Sequence, residues 1–144
     1  MVDVFTRKQC SVLGVEDVLP SETGSYGIVD ASIIETGLLK VNSIVEKPKP
    51  TDAPSTLAVV GRYVLTPKIF DLLEKVKPGK GGEIQLTDGI ADLMQYEDVL
   101  AYRFAGKRFD CGSKFGFMKA NVEFALKHPE ISKDFHLYLN SLNK

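Results

Sequence analysis

The sequence predicts an α/β fold in which a mixed sheet is flanked by helices. Short apolar runs that are typical of strands fill most of the first 65 residues and recur at 99–104. Three segments between residues 66 and 128 instead carry apolar side chains at helical spacing. Because these strands and helices do not alternate regularly, their order favours a mixed sheet over a doubly wound parallel one.

The first 46 residues predict the end of a helix followed by a meander of short strands. Residues 2–9 place their apolar side chains on one side of a helix, and 20–25 are rich in Pro, Ser, Thr and Gly, as loops are. Gly37 and Asn42 separate the later runs. The predicted strands occupy residues 11–15, 26–29, 38–41 and 43–46.

The following segment predicts a further strand and three capped helices. Residues 57–65 give the strongest strand prediction. Thr66 suits the N-cap of a helix, with Pro67 at the first helical position, where its missing N–H costs nothing. The later helices follow residues that cap well, namely Thr87 or Asp88 for one helix and Ser113 for the other.

The composition is that of an ordinary globular domain and argues against several classes of function. A chain of 144 residues can bury a core, and a net charge of −1 gives no sign of the basic face that nucleic-acid binding needs. No run approaches the roughly 20 apolar residues of a membrane helix, and the N-terminus has no signal-peptide pattern. Two cysteines are too few for a disulfide framework. We therefore expect a cytoplasmic protein with no nucleic-acid or membrane partner.

The most informative segment is the strand end at 44–50, Ile-Val-Glu-Lys-Pro-Lys-Pro. Pro48 cannot continue the strand, so Glu46 and Lys47 are held at its end, where α/β folds place groups that contact ligands. A carboxylate can accept hydrogen bonds from sugar hydroxyls, and an ammonium group suits phosphate. The alternative is a surface ion pair before a proline-rich turn, which contributes little.

Glycines mark three other places where a ligand could approach the backbone. The segment 80–83, Lys-Gly-Gly-Glu, delivers Glu83 just before a helix, and its alternative is a solvated loop between helices. Tyr26 and Gly27 could present their backbone to a ligand. Gly61 lies inside a strong strand, where glycine often marks a bulge or a close approach.

A strand end meets a helix N-terminus at 109–113, Phe-Asp-Cys-Gly-Ser. Such a terminus favours anions, so Asp110 could help to hold a Mg²⁺ ion that bridges phosphates. The alternative is that Asp110 caps the helix. We expect Cys111 to be a small buried packing residue rather than a nucleophile, since no histidine lies near it in sequence.

Taken together, these segments resemble the bacterial UTP–glucose-1-phosphate uridylyltransferase family, from about residue 2 to about residue 130. The ordered set is far more specific than any member of it. It consists of Tyr-Gly-Ile-Val-Asp, Val-Glu-Lys-Pro, Val-Gly-Arg-Tyr-Val-Leu, Gly-Gly-Glu-Ile-Gln-Leu-Thr-Asp and Asp-Cys-Gly-Ser. Some of these segments recur in the related thymidylyltransferases, but Val-Gly-Arg-Tyr-Val-Leu-Thr-Pro and Phe-Asp-Cys-Gly-Ser-Lys favour the uridylyl branch.

The resemblance implies a Mg²⁺-dependent reaction of UTP with glucose 1-phosphate that gives UDP-glucose and pyrophosphate. It implies that Glu46 and Glu83 accept from glucose hydroxyls and that Lys47, the implied catalytic residue, contacts the sugar phosphate. The remaining implied contacts are the Tyr26–Gly27 backbone and the pair Gly61 and Arg62 in the sugar pocket, with Asp110 as a metal ligand.

One family feature is absent from this sequence. Family members carry a phosphate loop of the form Gly-x-Gly-Thr-Arg-x-Leu-Pro near their start, and no such motif occurs here. We therefore expect the C-terminal half of a nucleotidyltransferase Rossmann-like sheet, incomplete in this chain and inactive alone. Residues 1–130 would form the sugar-phosphate part, and 131–144 a tail or packing helix.

Two other interpretations stay open. The chain could be a stand-alone sugar-nucleotide binding module, or part of a glucose-1-phosphate thymidylyltransferase. An incomplete sheet would also expose a strand edge and apolar surface, so we expect a homo-oligomer.

Overall fold

The computed structural model describes residues 1–79 and 82–142, and it has the predicted mixed α/β fold. The chain divides into two compact units, Met1–Phe104 and the part from Ala105 onward. The first unit contains α1 (Val2–Lys8), β1 (Ser11–Asp17), a 3₁₀ turn (Pro20–Ser25), β2 (Gly27–Glu35), β3 (Leu38–Glu46), β4 (Leu57–Val64), α2 (Lys68–Leu73), α3 (Leu86–Leu93) and β5 (Val99–Arg103). The second contains α4 (Lys114–Ala125) and α5 (Ser132–Leu142). None of the described helices combines the length and the apolar character that crossing a membrane requires. The functional boundary expected near residue 130 stays a prediction.

Within the described residues, the five strands close into a ring in the order β1-β4-β2-β3-β5. Strands β1 and β5 run parallel, and the other neighbours run antiparallel. Strands β2 and β4 meet at one residue pair, Ile28 opposite Ala58. The expected exposed sheet edge is therefore removed where strands pair, but β2 and β4 pair through this one position and leave the rest of their facing edges without a strand partner.

The interior of the first unit is filled by inward-facing strand residues and by one face of α2 and α3. Leu13 and Val15 of β1 are fully buried, and Ile90 and Leu93 of α3 lie in the same cluster. Ile90 and Leu93 are three residues apart, so both point to one face of their helix. Removing such surface from water contributes about 25 cal/mol per Å², which fixes α3 against the sheet.

A half-buried carboxylate network replaces the cap predicted at Thr66. Helix α2 begins at Lys68 with no side-chain cap, and Thr66 Oγ1 instead donates to Glu97 Oε2 at 2.8 Å. Ser11 Oγ donates to Glu97 Oε1 at 2.6 Å, and its oxygen accepts from Thr66 N at 3.0 Å. A carboxylate is a stronger acceptor than a neutral group, so it holds both hydroxyls and joins β1 to the start of α2.

Two further local predictions were wrong. Helix α3 begins at Leu86 after Gln85, so Thr87 lies in its first turn and is not a cap. Strand β3 is continuous through Asn42, so the expected break is instead a shift of register at that residue, whose side chain donates to Asp30 at 3.1 Å on β2.

The second unit is ordered mainly by local hydrogen bonds. The predicted cap at Ser113 is confirmed, since its Oγ accepts from Gly116 N at 3.0 Å. Ala120 is the one buried residue among those described from 105 onward. The expectation that Cys111 is buried is wrong; it is exposed, because it lies on a short turn that packs against no core.

Candidate functional site

The site is organised by the ends of β2 and β3, which lie side by side. Gly27 is opposite Glu46 in the antiparallel register, and the backbone N–H of Lys47 donates to Tyr26 O at 2.9 Å. Lys47 itself has φ +45°, a left-handed conformation that is uncommon outside glycine. With Pro48 following, this backbone ends the strand and turns the chain where the predicted ligand-binding pair lies.

Glu46 and Lys47 are in contact with each other in the absence of a ligand. Lys47 Nζ lies 3.4 Å from Glu46 Oε1, and the lysine side chain is the more exposed of the two. An ion pair between partly exposed groups contributes little to stability. Lys47 can therefore leave Glu46 for a stronger anion at small cost.

A cleft of about 620 Å³ brings this strand end together with the segment that precedes α3. Its lining combines two apolar residues of β3, three carboxylates, one amide and one ammonium group. The lining residues are Gly24, Ile44, Val45, Glu46, Lys47, Gly79, Glu83, Gln85 and Asp88. Carboxylates that accept and an ammonium group that donates are suited to a ligand with several hydroxyls and an anionic group.

The wall formed by 79–88 is held by backbone hydrogen bonds. Gly79 N donates to Glu83 O at 2.9 Å, and Gly82 N donates to Gly79 O at 3.0 Å. Gly82 has φ +78°, a backbone conformation that glycine adopts more easily than residues with a Cβ atom. Lys80 and Gly81 of the predicted glycine-rich turn lie outside the described residues, whereas Glu83 lines the cleft as the sequence suggested.

Gly27 is buried behind the cleft, and no larger residue fits at its position. A Cβ atom there would lie 2.8 Å from Thr87 Cγ2 and 3.4 Å from Glu46 Oε2. The first distance is shorter than side-chain carbons approach one another. Glycine therefore lets α3 and the Glu46 carboxylate come close to the start of β2.

Sequence reasoning missed Gln85 and Asp88 as cleft residues and Tyr63 as a neighbour of Glu46. Burial, and secondarily the negative charge of Glu46, raise the pKa of the Tyr63 hydroxyl. From the sequence, Asp88 is interpreted as a possible helix cap and nothing more. The signal that it also lines the cleft was its place in the same short segment as Glu83, five residues later.

Gly61 and Arg62 are not among the residues that line the cleft. Gly61 is exposed with φ +69°, and a Cβ at that position would meet nothing within 4 Å. The Arg62 guanidinium donates to Gly61 O at 3.2 Å. A ligand contact of this pair, like that of the Tyr26 backbone, stays a prediction.

Asp110 belongs to the second unit, where it lies exposed on the turn before α4. Its Oδ1 accepts from Gly112 N at 3.1 Å, and its backbone oxygen accepts from Ser113 Oγ at 3.2 Å. In the described part of the chain, no group of three or more His, Cys, Asp or Glu side chains could hold a metal ion. Asp110 therefore offers a metal ion one carboxylate ligand and no neighbouring group of further ligands among the described residues.

Curated relatives of this chain are named UTP–glucose-1-phosphate uridylyltransferase. One from Pseudomonas aeruginosa is 51% identical over 120 residues, covering 83% of this chain and 43% of the relative. One from Staphylococcus epidermidis is 47% identical over 143 residues, covering 99% of this chain and 50% of the relative. The chain thus spans about half the length of the curated relatives it matches.

Solved structures match the same part of such enzymes, and a family profile shows the family of the chain. A UDP-glucose pyrophosphorylase complexed with UDP-glucose aligns with a TM-score of 0.85 at 41% identity, over 89% of this chain and 49% of that one. The UTP-bound enzyme from Acinetobacter baumannii aligns with a TM-score of 0.85 at 42% identity, over 99% and 49%. A profile described as nucleotidyl transferase matches residues 2–126, and on that match the chain belongs to the nucleotidyl transferase family.

Proposed function

We propose that this chain provides the sugar-phosphate site of an enzyme that transfers the uridylyl group from UTP to glucose 1-phosphate. In that reaction a phosphate oxygen of glucose 1-phosphate forms a bond to the α-phosphorus of UTP, and the bond to the β-phosphate breaks. The products are UDP-glucose and pyrophosphate. The observation that carries the proposal is the cleft in which Glu46 and Glu83 face Lys47, in a chain whose relatives carry that enzyme name.

Each side chain has a role that follows from its charge. Glu46 and Glu83 accept hydrogen bonds from glucose hydroxyls, and the Gly27 backbone lies against the sugar. Lys47 binds the sugar phosphate and neutralises part of the charge that gathers there, which is the main contribution a protein makes to such chemistry. No general base is needed, because the attacking oxygen is already ionised. Tyr26, Gly61 and Arg62 complete the proposed sugar contacts.

Nucleotidyl transferases of this family generally use a divalent metal ion, and we propose Mg²⁺ with Asp110 as one ligand. Mg²⁺ usually takes one or two carboxylates and leaves its other positions to water and substrate phosphates, so a single exposed carboxylate fits it. When held by Asp110, the ion would supply positive charge that offsets the charge of the substrate phosphates. The isolated chain is expected to bind ligand without turnover, because its sequence lacks the phosphate-loop motif.

The test is a calorimetric titration of the 144-residue chain with UDP-glucose and Mg²⁺, with Lys47→Ala beside it. We expect saturable binding that Lys47→Ala weakens about tenfold or more, equivalent to about 1.4 kcal/mol. Lys49→Ala is the matched control, since Lys49 is an exposed lysine two residues away that does not line the cleft. A cooperatively unfolding sample that binds no UDP-glucose, or equal affinity of both variants, would contradict the assignment.

The thymidylyl interpretation needs a different measurement, because the residues expected to bind the base lie outside this chain. A preference for dTTP over UTP in the complete enzyme would indicate the thymidylyl branch, and one solved neighbour described as a putative glucose-1-phosphate thymidylyltransferase shares the fold at 24% identity with a TM-score of 0.65. Joining the chain to the upstream half of a relative distinguishes an enzyme part from a binding module. Uridylyl transfer by the joined protein that Lys47→Ala abolishes would support the enzyme part.

We also propose a cytosolic homo-oligomer. Both cysteines are free thiols, as in reducing compartments, and α4 and α5 expose several large apolar side chains. Light scattering is the direct measurement, and a monodisperse species of 15.9 kDa would count against self-association.

A further inference from the structure

The side chain of Thr87 is buried at the cleft wall with an unused hydroxyl group. Thr87 is 6% exposed, and no described residue forms a hydrogen bond with its Oγ1. A buried hydroxyl without a partner costs free energy, because it has lost its hydrogen bonds to water and gained none in the protein. Valine has almost the same shape and would avoid that cost. The hydroxyl at this position therefore requires an explanation other than packing.

Thr87 and Glu46 approach the same point beside Gly27. The position of a Cβ on Gly27 lies 2.8 Å from Thr87 Cγ2 and 3.4 Å from Glu46 Oε2. The methyl group of Thr87 and one carboxylate oxygen of Glu46 thus lie within 3.4 Å of the same point beside Gly27, and the Thr87 hydroxyl is not among the three atoms nearest to that point. Because threonine adopts two χ1 rotamers in helices, a rotation of about 120° about χ1 can bring the hydroxyl group to the place that the methyl group holds.

We propose that Thr87 is a positioning residue that holds the Glu46 carboxylate when ligand is bound. When Lys47 leaves Glu46 for a phosphate group, the carboxylate loses its partner at 3.4 Å. The Thr87 hydroxyl then turns toward Gly27 and donates to Glu46 Oε2. That bond fixes one carboxylate oxygen and leaves the other to accept from a sugar hydroxyl. This inference rests on the proposed function, since it assigns the ligand to the same cleft.

A purely structural role of Thr87 makes a different prediction. If Thr87 serves to fill the space over Gly27, the methyl group matters and the hydroxyl does not. Thr87→Val would then be neutral for binding, and Thr87→Ser would weaken the packing. If Thr87 positions Glu46, the order reverses, because valine lacks the donor and serine keeps it.

The experiment titrates UDP-glucose with Mg²⁺ into the 144-residue chain and into Thr87→Val, Thr87→Ser and Thr87→Ala. We expect Thr87→Val to weaken binding about fivefold to tenfold and Thr87→Ser to stay within about twofold of the parent. The melting temperature of the ligand-free Thr87→Val chain should not fall, because the lost hydroxyl had no partner there. If valine prevents folding, Thr87→Ala, which also lacks the donor without adding bulk, takes its place.

A double-mutant cycle with Glu46→Gln tests whether Thr87 acts through Glu46. In that background we expect Thr87→Val to cause less than about a twofold further loss, because coupled residues are not additive. Unchanged affinity of Thr87→Val with a weakened Glu46→Gln variant would overturn the inference and leave the proposed function standing. Full additivity of the two losses would also overturn it. If the folded parent chain binds no sugar nucleotide, the proposed function fails and this inference falls with it.

Discussion

The two compact units of the chain place their side chains by different means. In Met1–Phe104, the strands close into a ring around buried side chains from both sheet and helices, and the cleft is lined by the end of β3 and the segment before α3. From Ala105 onward, the described helices bury Ala120 alone, and the turn that carries Asp110 is held by its own backbone and the Ser113 cap. The comparison teaches that a buried framework positions Gly27 and Glu46, whereas local hydrogen bonds position the proposed metal ligand.

Replacing one leucine in each unit with alanine should give the largest difference between the units in the free energy of unfolding. Leu13 is fully buried in β1, whereas Leu137 on α5 is 68% exposed. We expect Leu13→Ala to lower the free energy of unfolding by about 3 kcal/mol or more, because it leaves a cavity in a packed core. Leu137→Ala should change it by less than about 0.5 kcal/mol. Urea unfolding followed by circular dichroism measures both, and losses of similar size would break the comparison.

Two glycines near proposed ligand contacts should respond unequally to alanine. At Gly27 the added Cβ meets Thr87 Cγ2 at 2.8 Å, in a place closed on both sides. We expect Gly27→Ala to cost about 1–3 kcal/mol of stability, as overpacking does, and to weaken UDP-glucose binding by displacing Glu46 or α3.

Gly112 in the second unit is the matched control. An added Cβ there would lie 3.1 Å from Asp110 Oδ1, the end of an exposed side chain that can turn away. We expect Gly112→Ala to change thermal stability by less than about 0.5 kcal/mol. If Gly112→Ala is as costly as Gly27→Ala, the second unit is packed more tightly than its exposed surface indicates.

The parts of the fold and site that the sequence predicted are those encoded by neighbouring residues. A strand stopped by Pro48 predicts where Glu46 and Lys47 lie, and a serine before an apolar run predicts the cap at Ser113, because each signal spans a few positions. Thr66 is an exception to such local prediction. Its hydroxyl does not cap α2 but donates to Glu97, which lies 31 residues later and reaches it only in the folded chain.

The predictions that failed depended on contacts distant in sequence. Pairing of β1 with β5 joins the two ends of the sheet into a ring, and no local pattern encodes that pairing. Thr87 resembled a cap because threonine is common at caps. Its burial against Gly27, 60 positions earlier in the numbering, decides its role instead. Cys111 was expected inside because cysteines often are, yet its unit has almost no interior to receive it.

The reaction rates of the two cysteines test the difference in burial between the units without a mutation, since labelling leaves the native fold in place. Cys10 packs in a buried cluster of the first unit, and desolvation by that burial, followed by the charges of Glu97 and Asp98, raises the pKa of its thiol. Cys111 is exposed in the second unit. Because the thiolate is the reactive form, we expect a disulfide reagent at pH 8 to label Cys111 at least about tenfold faster than Cys10. Mass spectrometry after timed quenching gives both rates, and Cys111→Ser should remove the fast phase alone.

The raised pKa of Cys10 also sets the sign of a small pH effect on stability. Above the ordinary thiol pKa of about 8.5, the unfolded chain loses this proton while the folded chain keeps it. Unfolding therefore becomes more favourable as the pH rises through this range, and the contribution of Cys10 to stability falls. Cys10→Ala should flatten the decline in melting temperature between about pH 8 and 10, whereas Cys111→Ala should leave it unchanged. Equal slopes for the parent and Cys10→Ala would mean that Cys10 ionises as freely in the folded unit as in the unfolded chain, and that the interior of the first unit is open to water beside α1.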